Sequence, residues 1–324
     1  MNPIGGYFEL ADYCECGVFP HHKGYLLNTG RNALEFILRS IGRVRRVYLP
    51  YYTCEVVLEP LKRLSIPWSF YAIDLNLEIA DKPELGEEEY LIANNYFGLK
   101  DAYIRTLSSI YGDRLIVDCA QAFFAEPLPG IKSFYSCRKF VGVADGGVAY
   151  VGTPVDSVDY PEDSTSDHDG HLYTRKELGA EAGFKEFQEN ERKLDNQPIR
   201  SMSVKTKEIL AHIDYELVVN RRRANWQYLH SRLQERNHLS LPGLDSFACP
   251  MVYPFMIEDG EQLRRKLIKG KVFVAKYWPN VMDDGIHKIE FLLSNQIVSI
   301  PCDQRYGESE LERIIETIRD YCIC

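Results

Sequence analysis

Short apolar runs alternate with longer amphipathic stretches in the first half of the chain. The apolar runs predict strands at 45–50, 68–73, 90–94, 114–118, 131–136 and 147–152. Helical periodicity follows Asn28 and Thr29, which are good N-cap residues, and recurs at 51–64 and 101–110. Strands that alternate with helices are typical of a mostly parallel central sheet flanked by helices, so we expect an α/β fold.

The pattern changes in the second half of the chain. Residues 154–172 are acidic and rich in turn formers, which predicts an exposed loop, and 174–194 is helical. A long helical pattern over 202–233 precedes strands at 251–257, 271–278 and 297–301 and helices at 261–269 and 308–321. We therefore expect a large α/β domain over residues 1–205, with residues 1–27 as an irregular arm, and a smaller α+β domain over residues 206–324.

Composition and charge narrow the possible partners. The 324 residues are 45% hydrophobic and 26% charged, as in a globular protein, and the net charge of −9 argues against a nucleic-acid partner. No apolar run approaches the roughly 20 residues that span a bilayer, so no membrane partner is expected. Without a signal-peptide pattern, the nine scattered cysteines indicate reduced thiols in a cytoplasmic protein.

Cys14, Cys16, His21 and His22 form a cluster near the N-terminus. Cysteine and histidine are common zinc ligands, but no second pair with metal-ligand spacing follows. A metal site and an arm with free thiols both stay open, and we favour the arm.

Polar residues follow the predicted strands where a parallel sheet collects its ligands. Asp118 ends the apolar run RLIVD, and Lys139 follows the run that ends at Ser136. The predicted helix that begins at Gly30 would present backbone N–H groups to an anion. Because ligands bind beyond the carboxyl ends of such strands, we expect these residues to converge on one site.

Two of these residues suit the reactive part of pyridoxal 5'-phosphate (PLP). A lysine amine that is partly desolvated condenses with aldehydes, so Lys139 can hold PLP as an internal aldimine. The Asp118 carboxylate can keep the ring nitrogen protonated, so that the ring withdraws electrons. Each also has an ordinary interpretation, as a solvated loop lysine and a turn aspartate.

Other residues can hold the rest of the cofactor. Gly30, Arg31 and Ser136 can bind the phosphate, and Gln121 can contact the ring hydroxyl or the substrate. Cys54, with Tyr51 and Tyr52, lies near the strand end from which the ring face would be covered.

These motifs resemble the DegT/DnrJ/EryC1/StrS family of fold-type I, PLP-dependent sugar aminotransferases. The run TGRNAL at 29–34 is similar to the family's first helix, and Pro50-x-x-Thr53 to its next strand end. The run at 117–121 is similar to the family's Glu-Asp-x-Ala-Gln motif. Lys139 precedes the acid and two glycines at 145–147 by the family's spacing.

The resemblance implies an activity, a cofactor and an assembly. Family members move an amino group, usually from glutamate, onto a keto group of a nucleotide-linked sugar, as in polysaccharide biosynthesis. Lys139 would be both the lysine that binds PLP and the proton shuttle. The family forms homodimers with the active site at the subunit interface, so we expect a homodimer.

Some positions depart from the family pattern. Phe134 and Ser136 replace a serine and a histidine before the lysine, Cys54 replaces a ring-stacking aromatic residue, and Asn95 replaces a loop histidine. Two alternatives therefore stay open: a PLP enzyme with another reaction, and a non-catalytic family member that acts as a binding protein. The presence of both Lys139 and Asp118 favours an enzyme.

Overall fold

The computed structural model describes residues 2–15, 17–153, 159–166, 168–241, 243–245 and 248–322. The strands are β1 (Ile4–Gly5), β2 (Tyr25–Leu27), β3 (Arg46–Pro50), β4 (Trp68–Tyr71), β5 (Glu89–Asn94), β6 (Leu115–Cys119), β7 (Lys132–Ser136), β8 (Gly147–Val151), β9 (Val252–Met256), β10 (Val272–Phe273) and β11 (Ile297–Pro301). The helices are α1 (Gly30–Ile41), α2 (Leu58–Arg63), α3 (Asp101–Tyr111), α4 (Gly170–Leu178), α5 (Phe184–Lys193), α6 (Val204–Ala211), α7 (Tyr215–Leu233), α8 (Gly260–Lys269), α9 (Lys288–Gln296) and α10 (Glu308–Cys322).

A seven-stranded sheet organises the first half of the chain. Its strand order is β2-β8-β7-β6-β5-β3-β4, and the run from β4 to β7 is parallel throughout. Only β8 runs against its two neighbours. The prediction of a mostly parallel sheet in an α/β fold is confirmed. The carboxyl ends of β5, β6 and β7 consequently meet at one edge, together with the amino end of β8.

Both faces of this sheet are buried, which explains the nearly continuous apolar runs in its strands. In β6, Ile116 packs into a core with Leu34 and Ile37 of α1. Its neighbours Leu115 and Val117 point to the other core. This alternation follows the two-residue period of a strand.

A third hydrophobic core lies in the C-terminal part of the chain. Strands β9 and β11 form an antiparallel pair, and α7, α8 and α10 pack their apolar residues on it. Ile4 of β1 joins this core because β1 pairs in parallel with β10. The prediction of an irregular N-terminal arm is therefore wrong at β1 and β2. Strands of two or three residues are too short to show an alternating pattern.

The predicted long helices are each divided in two. The helix predicted over 202–233 ends at Ala211 and restarts at Tyr215, where the Asp214 carboxylate accepts a hydrogen bond from the Leu217 N–H at 2.9 Å. The helix predicted over 174–194 consists of α4 and α5, separated after Gly179. Helix α9 was not predicted, and the strand predicted at 271–278 is reduced to β10.

Other local predictions had mixed outcomes. Helix α1 begins as predicted, because the Thr29 hydroxyl accepts a hydrogen bond from the Asn32 N–H. Thr53 is not an N-cap, since its hydroxyl instead accepts a bond from Asn94. In the segment predicted as an exposed loop, residues 154–158 and 167 lie outside the described part, but Thr165 and Asp169 are buried.

The N-terminal cluster of Cys14, Cys16, His21 and His22 is neither a metal site nor an arm with only free thiols in the part of the chain that the structure describes. Cys14 is disulfide-bonded, so the prediction of reduced thiols is wrong for this residue, while Cys16 lies outside the described residues. His21 is buried, with its Nε2 2.5 Å from the Phe123 carbonyl oxygen. Within the described ranges, no group of three His, Cys, Asp or Glu side chains is placed to hold a metal.

No helix in the described part of the chain is both long enough and apolar enough to cross a membrane.

Candidate functional site

Two cavities meet at the edge of the sheet where β5, β6 and β7 end. We call them the smaller cavity, of about 160 Å³, and the larger cavity, of about 710 Å³. Ser136, Arg138, Lys139 and Glu191 line both of them. Any group bound in one cavity therefore lies beside residues that also face the other.

The smaller cavity brings together all seven residues that the sequence singled out. They are Gly30, Arg31, Cys54, Asp118, Gln121, Ser136 and Lys139. These residues come from four separate loops and helix ends, and the parallel sheet places them side by side.

The N-terminus of α1 forms one wall of the smaller cavity. The N–H groups in the first turn of a helix lack carbonyl partners within the helix, and the helix dipole makes this end positive. Gly30 packs closely on the end of β7, because a Cβ atom there would lie 3.4 Å from the Tyr135 carbonyl oxygen. Thr29 and Gly30 both line the cavity, so this wall can receive an anion.

Two glycines fix the loop between Lys139 and β8 against that helix. Gly146 has a φ of 121°, which L-residues with a side chain rarely adopt, and its N–H donates to the Asn28 carbonyl. A Cβ atom on Gly147 would lie 2.2 Å from the Thr29 carbonyl oxygen. Close packing and backbone conformation therefore require glycine at these two positions of the loop.

Asp118 is the last residue but one of β6 and lies directly beside Asn94, its partner in the register with β5. One oxygen of its carboxylate accepts a hydrogen bond from the Ala120 N–H at 2.8 Å. The side chain is 8% exposed, and this burial raises the pKa of the Asp118 carboxyl group, while the positive charge of Lys139 partly offsets the rise. A cationic partner in the cavity would therefore stabilise the ionised form of the Asp118 carboxyl group.

Lys139 ends a short 3₁₀ turn, Cys137–Lys139, that directly follows β7. Its side chain is half-buried. Among the described residues it has neither a hydrogen bond nor an ion pair, although its charge acts on the pKa values of Asp118 and Cys54. The amine of Lys139 thus lies where the two cavities meet, and no described residue binds it.

Two amide side chains in the smaller cavity have unsatisfied atoms. Gln121 accepts a hydrogen bond from the Phe97 N–H at 3.0 Å, which leaves its buried Nε2 without a partner in the described part of the protein. Asn94 donates to Thr53, and its buried Oδ1 is likewise unpartnered there. Buried polar atoms are usually hydrogen-bonded, so Gln121 and Asn94 each keep one unused hydrogen-bonding atom next to the cavity that they line.

Arg31 is more constrained than the sequence suggested. Its Nη1 lies 2.5 Å from Glu59 and 2.9 Å from Asp195. Part of its charge is therefore already compensated by these carboxylates. Asn95 also lines the cavity, but its amide is bonded to Asp101 and to the Lys100 N–H.

Sequence reasoning missed Asn94 and Trp278 as lining residues. The six-residue run that ends at Asn94 would have identified it, since it ends a strand next to that of Asp118. Trp278 is the large flat side chain of the cavity lining, and it packs on Tyr52 and Tyr96. It lies far along the chain, so no local pattern pointed to it.

Comparisons with known proteins identify the fold. No family model and no curated protein matches the sequence. The structure matches DesV of S. venezuelae, in complex with a ketimine intermediate, at a TM-score of 0.67 and 15% identity, over 92% of this chain and 84% of DesV. It has the fold of type I PLP-dependent aminotransferases.

Two further structures give the same result. A DegT/DnrJ/EryC1/StrS aminotransferase from Brucella abortus matches at a TM-score of 0.60 and 14% identity, over 92% of this chain and 85% of its own. Spr1654 of Streptococcus pneumoniae, described as a sugar aminotransferase and solved in its PLP form, matches at a TM-score of 0.64 and 15% identity, over 97% of this chain and 92% of its own. The predicted fold class is confirmed.

Proposed function

We propose that this protein is a PLP-dependent aminotransferase that acts on a keto group of a nucleotide-linked sugar, with glutamate as the amino donor to test first. The observation that carries the proposal is the meeting of Lys139, Asp118 and the α1 N-terminus around one cavity. The sugar substrate is supported by the family resemblance of the motifs and by the sugar aminotransferase among the structural matches.

The chemistry of the smaller cavity fits PLP. It offers an amine at Lys139, a buried carboxylate at Asp118 and an anion-binding helix end at Gly30. Gln121 Nε2, which has no partner among the residues that the structure describes, is a donor from which a phenolic oxygen can accept a hydrogen bond. When bound, PLP supplies an aldehyde that condenses with amines and a ring that withdraws electrons from the substrate.

The chain's own residues would then have distinct tasks. Lys139 would hold the cofactor and, once released, move a proton at the substrate carbon bonded to nitrogen. Asp118 would keep a proton on the ring nitrogen, and its burial strengthens this ion pair. Gly30, Arg31 and Ser136 would bind the phosphate, and Trp278 or Cys54 would cover the ring.

The proposal is tested by visible absorption after incubation with PLP. The wild type should show a pH-sensitive band that Lys139→Ala lacks, and glutamate should bleach that band with release of 2-oxoglutarate. Bleaching without the oxo acid would indicate another PLP reaction. Absence of the band in the wild type would refute the cofactor assignment and favour a non-catalytic binding protein.

We also propose a homodimer with the active site at the subunit interface, and a cytoplasmic location. The family resemblance supports the dimer, and the free thiols of Cys54, Cys119, Cys137, Cys249, Cys302 and Cys322 support the location. Light scattering of the purified protein measures the mass directly, and a monomeric mass with full activity would contradict the dimer.

A further inference from the structure

Arg222 of α7 lines the larger cavity and is fully buried, with 0% exposure. It forms no ion pair with any residue that the structure describes, and its partners are a side-chain amide and backbone carbonyl groups. A buried charge lowers stability unless hydrogen bonds compensate it. The partners of Arg222 therefore indicate what this residue does.

All three nitrogen atoms of the guanidinium group donate hydrogen bonds. Nε donates to the side-chain oxygen of Gln304 at 2.9 Å. Nη1 donates to the carbonyl oxygens of Pro250 and Met251, directly before β9, at 3.2 and 3.1 Å. Nη2 donates to the carbonyl oxygen of Phe140 at 3.4 Å. The guanidinium group is thus fixed in one orientation by the protein itself.

The Phe140 carbonyl group is where these contacts converge. Its oxygen accepts a second hydrogen bond from Gln304 Nε2 at 2.9 Å. Since Gln304 also accepts a bond from Arg222, each of the three groups is bonded to the other two. The guanidinium group lies 4.6 Å from the centre of the Phe140 ring, which adds a cation–π contact. Both lone pairs of the Phe140 oxygen are therefore in use.

Phe140 directly follows Lys139, so these contacts act on the backbone that carries the lysine. The Phe140 N–H donates to the Cys137 carbonyl oxygen at 3.0 Å, which closes the 3₁₀ turn that ends at Lys139. The Phe140 ring is buried and packs on Phe123. Because residue 140 is held at its N–H, its carbonyl group and its ring, the Cα atom of Lys139 has little freedom to move.

The two residues that hold the Phe140 carbonyl group come from the C-terminal part of the chain. They lie 82 and 164 residues away from it in the sequence. Gln304 follows β11 and stands between Cys302 and Tyr306, which both belong to the C-terminal core. Trp226, one helical turn after Arg222 on α7, packs in the same core. The turn of Lys139 is thus attached to a core that does not contain its own sheet.

We propose that Arg222 and Gln304 are positioning residues, which hold the Phe140 carbonyl group and thereby place the Lys139 amine where the two cavities meet. This inference rests on the proposed function, in which Lys139 binds PLP, and deepens it by making the position of the lysine depend on the C-terminal core. Without the two side chains, the turn keeps its bond to Cys137 but loses its outer attachment. Displacement of a reacting group by about 1 Å can slow a reaction by about 10²-fold.

The first measurement is amide hydrogen exchange of the full-length protein without PLP, read by mass spectrometry on peptides that cover residues 137–143. Gln304→Glu keeps an acceptor for Arg222 and removes the donor to Phe140, so exchange in these peptides should be roughly tenfold faster. Arg222→Met should have an effect at least as large. Gln304 is half-buried, so Gln304→Glu tests the proposal even if Arg222→Met fails to fold.

The second measurement is the rate at which added PLP forms its absorption band. Gln304→Glu and Arg222→Met should slow this step by roughly 10- to 100-fold, because Lys139 is no longer held in place. Arg222→Lys keeps the positive charge but not the planar fork of donors, so it should resemble Arg222→Met. A role in stability alone would leave the rate unchanged in the folded variants.

The matched control is Arg223→Met. Arg223 is the next residue of α7 and also donates to backbone carbonyl oxygens, those of Asp245 and Ala248, at 2.9 and 2.5 Å. Its replacement removes a similar number of hydrogen bonds at a different place. Exchange in residues 137–143 and the rate of PLP attachment should both stay at the wild-type value.

Several outcomes would overturn the proposal. Unchanged exchange in the variants of Arg222 and Gln304, or equal acceleration in Arg223→Met, would show that the pair does not hold the turn specifically. Faster exchange with a wild-type rate of PLP attachment would show that the pair stabilises the turn without placing Lys139. A wild type that forms no PLP band would refute the proposed function and this role with it, whereas a normal band rate in every variant would refute only this role.

Discussion

The two cavities share Lys139 but are built from different parts of the chain. The smaller cavity is formed mainly by residues that end strands or begin helices between Thr29 and Lys139. The larger cavity combines the N-terminal residues 5–8 with α4, α5 and the C-terminal strands. A site at strand ends follows from the topology of one sheet, whereas a site between distant segments depends on tertiary packing that local sequence does not encode.

The cavities also differ in how their charges are compensated. In the smaller cavity, Lys139 has no ion pair among the described residues, and the Asp118 carboxyl group has a raised pKa. In the larger cavity, Arg138 and Arg175 are each paired with a glutamate. Arg222, which also lines the larger cavity, has no ion pair within the described residues and donates instead to Gln304 and to backbone carbonyl oxygens. The larger cavity thus keeps a buried guanidinium group without a carboxylate partner, whereas the smaller one places the amine of Lys139 beside a buried carboxyl group.

The largest expected effect tests the smaller cavity. Asp118→Asn should lower kcat/KM for transamination by roughly 10²–10⁴-fold, because a neutral amide cannot hold the proton on the ring nitrogen. Steady-state kinetics with glutamate measures the loss. Asp101→Asn is the matched control, since Asp101 is also partly buried with a raised pKa but lines neither cavity. An equal loss of kcat/KM in the two variants would contradict a specific role of Asp118 at the cofactor ring.

The second effect concerns the loop between Lys139 and β8, which we call the lysine loop. Asp145 is 0% exposed, and its carboxylate accepts bonds from the Ser203 N–H at 2.9 Å, the Ser203 hydroxyl at 2.8 Å and the Thr206 hydroxyl. It ties the lysine loop to the start of α6. Asp145→Ala leaves these donors unpaired and should lower the free energy of unfolding by about 3 kcal/mol, measured by urea denaturation.

The control for this prediction is Asp283→Ala. Asp283 is exposed and accepts one bond from the Gly285 N–H, so its removal should change stability by less than about 0.5 kcal/mol. A similar small loss for Asp145→Ala would show that the lysine loop is held by packing alone.

A third effect concerns the N-terminal arm, on which the larger cavity depends. Burial lowers the pKa of His21 to about 4, so folding requires the neutral imidazole. The unfolded chain binds this proton below a pH of about 6.5, so the stability from His21 is present above that pH and is lost as the pH falls towards 4. The loss should be about 2 kcal/mol at pH 5.

Urea denaturation from pH 7 to pH 4 measures this effect. The stability difference between the wild type and His21→Gln should shrink as the pH falls through this window. His22→Gln alters the exposed neighbour, whose charge is the smallest of the causes that act on the pKa of His21, and should leave most of the pH dependence in place. A constant difference between the wild type and His21→Gln would contradict the neutral, buried state.

The smallest effect is expected at Arg31. Since Glu59 and Asp195 already compensate its charge, Arg31→Met should weaken PLP binding by no more than about tenfold, with the helix end supplying most of the phosphate affinity. Arg39→Met, in the last turn of the same helix, is the control. If the affinity for PLP is unchanged, Arg31 only anchors the segment that contains Asp195. If the affinity for PLP falls by much more than tenfold, Arg31 is a principal phosphate ligand.

The sequence predicted the sheet and the smaller cavity well for physical reasons. Strands buried on both faces are continuous apolar runs, and the polar residues that end them stand out. The break before Tyr215 escaped prediction because only residues 212–214 separate α6 from α7. The break after α4 was marked in the sequence by Gly179 and Gly183, since glycine is typical of helix boundaries. Trp278 and Arg175 reach the site through tertiary packing, which no local pattern records. The division into two domains near residue 205 and the roles of the seven site residues remain predictions.

The most direct test of the central claim is to identify the lysine that holds the cofactor. The protein is incubated with PLP, reduced with borohydride to make the link permanent, digested and mapped by mass spectrometry. The account predicts a pyridoxyl adduct on the peptide that contains Lys139, and its loss in Lys139→Ala. An adduct on other lysines with Lys139 unmodified would contradict it.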